Sequence, residues 1–357
     1  MSTSDAVLVF FVCCLLHPTP SPAQISGRDL EGIERHRLTR RPAGVFQSVD
    51  AAQDSLRWDA PLIGTWDFAV ALAEEGEGAD APVATAAADT ADLRGRLAVL
   101  PQELMVPCNE ILEAHVRDYI VRHAAALRVI LGRYLFHEPA LRAVFRRRGV
   151  PEDLTALAIV ESAMNPSALS RAGALGMWQF MPETARQYGL RCDPWVDERL
   201  DVLLATDAAA RYLRAAYGRF GNWPLAVSSY NCGPKAVEDA IRRAGSRDFW
   251  KVYEHLPGET KGYMPALVAA MYSVYFHDLH GICAREYSEG DVFTFRILRD
   301  MTFGEIVRAT GMSREVLERL NPQYLAGLIP GSDGPCILRI PGRYGKLFKE
   351  NIDVVTD

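Results

Sequence analysis

From Pro107 to about Ile282 the chain keeps a helical rhythm with scarce strand signals, which restricts this stretch to a packing of helices. Ile111, Val116, Tyr119 and Ile120 fall near a 3.6-residue spacing, and Leu127, Ile130, Leu131 and Tyr134 repeat it. Pro151-Glu152-Asp153 opens a further helix, because proline suits a first helical turn and acids suit the positive end of the dipole. Other helical runs are read at 182–188, 201–219, 223–229, 234–244 and 260–277. Apolar residues make up 49% of the 357, enough to fill a core among many short to medium helices.

The flanks differ. Residues 24–106 carry little periodicity, and 74–91 is rich in Ala, Asp, Glu and Gly with almost no large apolar side chain, which predicts a linker or disorder. Trp58, Trp66 and Phe68 form a small apolar segment before it. Downstream, 292–298 alternates like a strand, 303–310 and 314–320 read as two short helices separated by Gly311, and 337–340 reads as a second strand before Pro341. The expected organisation is a helical domain over 105–282 and a small strand–helix–helix–strand unit over 290–345, after an N-terminal segment over 24–104.

Residues 1–23 read as an export signal. The apolar run 6–16 is shorter than the roughly 20 residues that span a bilayer. Pro18, Pro20 and Pro22 stop any helix, and Ser21 and Ala23 supply the small residues of a cleavage site. No Lys or Arg precedes the run, which departs from the usual pattern. Phe10, Phe11 and Val12 before Cys13 are too bulky for a lipoprotein cleavage box. The remaining cysteines, Cys108, Cys192, Cys232, Cys283 and Cys336, are dispersed and odd in number, so neither a zinc site nor a dense disulfide framework is expected. The eight His lack metal-ligand spacing, and no metal or cofactor is implied. A formal net charge of −6 argues against a nucleic-acid binder working through a basic surface.

One acid stands out. Leu154 and Leu157 lie seven and four positions before Glu161, so the three share a helix face and the carboxyl is expected on the side turned to the core. Asn165-Pro166 stops the helix just beyond, which brings the negative end of the dipole near the carboxyl. Burial and dipole both favour the protonated form, as a general acid requires. A Glu leaving the helix end into water is the other reading of this segment alone. The following stretch from Ser170 to Pro182 combines small residues, which allow close backbone approach, with Trp178 as a candidate aromatic platform and Gln179 as an amide. Sugars, with apolar faces and polar edges, suit such groups.

Glu161-Ser162, Asn165-Pro166, Ser170, Ala172-Gly173-Ala174 and Gly176-x-Trp178-Gln179-Phe180-Met181-Pro182 resemble the first motif of the lytic transglycosylases, the membrane-bound D group above all. Ser228-Ser229-Tyr230-Asn231-Cys232-Gly233 is similar to the second motif and Glu259-Thr260-Lys261-Gly262-Tyr263-Met264-Pro265 to the third, so the likeness covers roughly 105–282. The resemblance implies a lysozyme-like α-helical fold and a cut between N-acetylmuramic acid and N-acetylglucosamine in peptidoglycan strands. Glu161 would be the single acid and base. It would protonate the leaving oxygen and then take the proton of the muramic C6 hydroxyl, which closes on C1 to give a 1,6-anhydro sugar. By the same resemblance Ser170 would contact the muramic acetamido group or Glu161, and Gln179 would hydrogen-bond substrate near the cleaved bond. Tyr230 would orient Glu161 or the acetamido group through its hydroxyl, Asn231 would fix the surrounding loop or sugar, and Tyr263 would complete the cleft wall.

Two stretches depart from the family. Lys235-Ala236-Val237 stands where Gly-Asn-Val is common, and Gly258 where Arg is common, which affects the lip of the cleft rather than its acid. Asp193, Asp197 and Glu198 stay open as a second carboxylate, although acids in a Pro-containing loop are ordinarily solvated or capping. Cys232 beside the motif reads as a small buried residue. Residues 293–341 resemble a LysM module on Thr302-Phe303-Gly304-Glu305-Ile306-Val307, Leu320-Asn321-Pro322 and Ile329-Pro330-Gly331, with Arg299-Asp300-Met301-Thr302 in place of its usual Gly-Asp-Thr opening. This leaves open a glycan-binding module or a degenerate one that packs on the catalytic domain without binding sugar. Glycan strands are thus the implied partner, with peripheral membrane or cell-wall association and a Gram-negative periplasm or envelope as the implied setting. A water-dependent muramidase and a non-catalytic wall-binding protein are the competing readings.

Overall fold

The computed structural model describes residues 92–287 and 291–352. The export signal, the segment with Trp58 and Trp66, and the Ala- and Glu-rich linker lie outside the described residues. The helical part comprises α1 (Leu93–Leu97), α2 (Glu110–Arg117), α3 (Ala124–Arg148), α4 (Leu157–Ser162), α5 (Pro182–Gln187), α6 (Val202–Phe220), α7 (Trp223–Ala244), α8 (Phe249–Tyr253), α9 (Gly258–Lys261) and α10 (Tyr263–Phe276). Polar side chains start the helices that frame the site: Asn109 caps α2, Asp201 caps α6 and Asn222 caps α7. α10 is apolar on every side, and its first eleven residues are all buried, so it runs through the middle of the domain. Leu157, Ala158, Ile159 and Val160 of α4 join it in the core with Leu131 and Phe145 of α3, Leu213 of α6 and Leu225 of α7.

The helical expectation is met, with informative differences. The helix predicted from Pro151 begins as a 3-10 turn, Glu152–Ala156, and becomes α-helical only at Leu157. The separate runs 223–229 and 234–244 lie in one helix, α7, broken at Gly233, whose φ of 78° and ψ of 156° no L residue adopts cheaply. The N-terminal segment expected to be linker is packed in its last part: Leu93, Leu97, Leu100, Leu104 and Val106 are all buried in the helical core.

The C-terminal unit contains β1 (Val292–Ile297), β2 (Asp300–Thr302), α11 (Phe303–Thr310), α12 (Arg314–Leu320), β3 (Leu328–Pro330), β4 (Cys336–Pro341) and α13 (Gly342–Asn351). β1 pairs antiparallel with β4, Val292 facing Pro341 and Ile297 facing Cys336, which is the expected strand–helix–helix–strand path. The β2–β3 ladder and α13 were not foreseen. Thr302 and Glu305 close a capping box at the start of α11.

The two parts are not separate bodies. Val196, from the loop before α6, is buried in the C-terminal core with Phe295, Phe303, Leu338 and Phe348, and Trp195 packs beside it. Val196 forms an antiparallel bridge with Tyr324, the Asp197 N–H donates to the Gln323 carbonyl at 2.9 Å, and the Leu325 N–H donates to the Trp195 carbonyl at 3.0 Å. Arg339 of β4 makes a two-point ion pair with Asp201, at 2.8 and 3.2 Å. A cavity of about 340 Å³ remains between the parts, walled by Cys192 and Leu204 on one side and Gln323 and Cys336 on the other.

Candidate active site

Glu161 is the penultimate residue of α4, half-buried, with its backbone fixed by buried neighbours on both sides. The helix stops there because Ala163 and Met164 both adopt left-handed backbone, at φ 52° and 63°, although neither is glycine. Such conformations cost of order 1–3 kcal/mol each and persist only where packing imposes them. Both side chains are almost fully buried. Ser162 ties the helix end to the next loop, its hydroxyl donating to the Met177 carbonyl at 2.8 Å. Gln179, at φ 47°, is the remaining non-glycine residue of this kind among the described residues, so left-handed backbone of this type clusters at the site.

The Tyr263 hydroxyl donates to the Glu161 carboxyl. Tyr263 is buried at the start of α10, and burial followed by the adjacent Glu161 charge pushes its pKa well above the ordinary tyrosine value. The phenol therefore stays neutral and remains a donor. Tyr230 stands close enough for the same charge to raise it too, after burial. Its hydroxyl donates to the Trp178 carbonyl at 2.9 Å, and its ring meets Phe180 and Tyr212 edge-on. The phenol bonded to the acid is thus that of Tyr263, expected to line the cleft wall, while the Tyr230 hydroxyl holds the loop after α4.

That loop is extensively bonded to itself. Ser170 Oγ accepts from the Ala174 N–H at 2.9 Å, and Gln179 Nε2 donates to the carbonyls of Ala168 and Gly176 at 3.0 and 2.9 Å. Both side chains therefore shape the loop, and both remain half-buried at its surface. Asn231 Oδ1 accepts from the Thr260 hydroxyl at 2.8 Å, which links α7 to α9 just before Tyr263. Trp178 corrects an expectation: it is fully buried, stacked on Phe145 with ring centroids 5.4 Å apart, and its indole donates to Thr206 at 2.8 Å. It anchors the loop and offers no face to a sugar.

The loop acids each have local work. Asp193 accepts from the backbone N–H groups of Trp195 and Val196, Glu198 accepts from the Arg191 N–H, and Asp197 pairs with Arg199. Burial pushes the Cys232 thiol up from its ordinary value, which keeps it protonated and unsuited to nucleophilic attack. Sequence reasoning passed over Ser162 and Arg199. Ser162 sits inside the motif next to the acid, a signal that was available. Nothing local marks Arg199, whose partners Gly173 and Phe180 are 26 and 19 residues away.

Residues 140–253 match the Transglycosylase SLT domain, and residues 293–355 match the LysM-like domain of lytic transglycosylase MltD. The membrane-bound lytic murein transglycosylase D of Escherichia coli (strain K12) is 31% identical over 213 residues, which are 58% of this chain and 46% of that one. The soluble lytic murein transglycosylase of the same organism is 32% identical over 133 residues, 35% of this chain and 20% of that one. The solved structure of the soluble lytic transglycosylase from Escherichia coli aligns with a TM-score of 0.36 and 24% identity, covering 50% of this chain and 32% of that one. The chain spans less than half the length of these relatives. An SLT domain match is thus followed in order by an MltD-type LysM-like domain match, and this chain is similar to the lytic transglycosylases over both.

Proposed function

We propose that this protein cleaves peptidoglycan glycan strands between N-acetylmuramic acid and N-acetylglucosamine, leaving a 1,6-anhydro end, with Glu161 as its only acid and base. The observation that carries this reading is the contact between Glu161 and the neutral Tyr263 phenol at the end of a buried, strained helix. As an acid, the Glu161 carboxyl gives its proton to the glycosidic oxygen as the C1–O bond breaks. The resulting carboxylate is stabilised by the Tyr263 O–H, whose hydrogen bond is stronger to a charged acceptor. The same carboxylate then takes the proton of the muramic C6 hydroxyl, whose oxygen bonds to C1. The carboxyl ends in its starting state and no water enters. A glycosidase that delivers water or a protein nucleophile needs a second carboxylate, whereas the acids of the 193–198 loop are engaged within that loop and with Arg191 or Arg199.

Ser170, Gln179, Tyr230 and Asn231 form the substrate-side frame in this reading. The helical domain, taken as 105–282, does the chemistry, and the unit taken as 290–345 accompanies it at the cell wall. Export to the envelope follows from residues 1–23 and from the substrate. No helix among the described residues is long and apolar enough to cross a membrane.

The test is digestion of purified sacculi followed by mass spectrometry. Wild-type protein is expected to release anhydromuropeptides, and Glu161→Gln to slow release by roughly 10²–10⁴-fold, the usual worth of general acid–base catalysis. Products heavier by one water, or an undiminished Glu161→Gln variant, would sink the reading.

A further inference from the structure

We propose that the C-terminal unit is a working part of the active site, because it holds the substrate loop, residues 170–180, in shape through Asp197 and Arg199. Arg199 is the positioning residue. The proposal rests on the reading of Glu161 given above.

Arg199 is 8% exposed and lies in the loop between Asp197 and Asp201, both of which bond to the C-terminal unit. Its Nη1 donates to the carbonyls of Gly173 and Phe180, at 2.9 and 3.1 Å. Those two residues bound the turn that contains Gly176, Trp178 and Gln179. The other side of the guanidinium grips Asp197, with Nη2 at 2.7 Å from Oδ2 and Nε at 2.9 Å from Oδ1. The main chain makes contact as well: a Cβ added at Gly176 would lie 1.9 Å from the Arg199 carbonyl oxygen. A planar fork satisfied on both sides fixes distance and angle together, which a flexible ammonium does not.

The segment that carries Arg199 is in turn held by the C-terminal unit at both ends. On one side Val196 lies in that unit's core, and the Asp197 N–H donates to Gln323. On the other, Arg339 binds Asp201, whose side chain is 0% exposed and which also caps α6. Asp197 and Arg199 therefore keep their places only while the C-terminal unit stays docked. The loop they brace meets the acid's own surroundings twice, through Ser162 on Met177 and through Tyr230 on Trp178. Misplacing a catalytic frame by about 1 Å can cost about 10²-fold in rate, so undocking should reach turnover without touching Glu161.

The experiment compares full-length wild type with Arg339→Met, Arg339→Lys and Arg199→Lys. Three readouts are taken on each: thermal midpoint, kcat and KM for muropeptide release, and hydrogen exchange of the Ala174, Leu175, Gly176 and Gln179 amides. In Arg339→Met these amides should exchange about tenfold faster and kcat should fall about tenfold per folded molecule, with Arg339→Lys restoring part of both. Arg199→Lys should give the same signature while leaving the Arg339–Asp201 pair intact. A purely structural role would instead lower the midpoint and leave kcat per folded molecule unchanged. The proposal is overturned if folded variants show wild-type exchange in the loop. If Arg339→Met does not fold, Arg199→Lys decides on the same readouts. A wild type that yields no anhydromuropeptides would overturn the functional reading alone, since loop exchange still decides the brace.

Discussion

Tyr263 brings a proton to the acid that solvent cannot easily remove. Its phenol is raised well above the ordinary value by burial and then by Glu161, so at neutral pH it is protonated and donates to the carboxyl. Tyr263→Phe is therefore expected to lower kcat by about 10²-fold, the scale seen when a preorganised donor to developing charge is removed. KM should change little, and steady-state muropeptide release measures both. Tyr230→Phe should behave differently. It leaves the Trp178 carbonyl without its donor, which costs about 1–3 kcal/mol of stability, visible in urea unfolding, and it loosens the loop after α4, so kcat falls as well, by less than in Tyr263→Phe. Chain order and motif identified both tyrosines, but not which hydroxyl meets which partner, because that depends on how α7 and α10 cross. A further side chain contributes to acid sensitivity. Burial, then the nearby Arg133 and Arg339 charges, depress His137 from 6.5 to about 4. The unfolded chain takes up this proton as pH falls through about 6.5, and the folded protein does so only near 4. Stability from this site is thus full above about 6.5 and lost progressively towards 4. His137→Phe should flatten the dependence of the urea midpoint over that window.

α4 shows how a short element can hold Glu161 in place. Six residues cannot hold a helix by themselves, so its shape comes from the burial of Leu157 through Val160 and from Ser162 fastened to Met177. The sequence placed Glu161 near the core because its spacing from Leu157 is one helical turn. It did not reveal that the turn before Leu157 is 3-10, nor that Ala163 and Met164 enter left-handed backbone, since neither residue type favours that region. α11 and α12 were legible to the residue because Thr302 and Glu305 form a capping box and Gly311 stops the first helix. α1, α8 and α13 were missed, being short or polar enough that only tertiary packing settles them. The loop after α4 yields its own prediction. Gly176 has φ of 84°, and an added methyl would collide with the Arg199 carbonyl. Gly176→Ala should cost about 3 kcal/mol or more through strain and overpacking, measured by thermal unfolding.

The whole molecule follows from where its two cores end. One holds α1 to α10, and the other is built from β1 to α13 but reaches across to take in Val196. The Arg339–Asp201 pair and the Asp197–Gln323 bond close the seam. Calorimetry is expected to record one unfolding transition for residues 92–352 rather than two, because neither part can melt without stranding apolar or charged groups of the other. Sequence reading divided the chain near residue 290, where composition changes. It could not locate the seam, because Val196 is an ordinary valine about a hundred positions before β1. This matters for anyone building chimeras. The C-terminal module transplanted at its sequence border would arrive without the valine plug it was shaped around, and its donor would be left with a greasy stub facing water. Grafts that carry the 190–201 loop along with the module are the ones that should remain soluble.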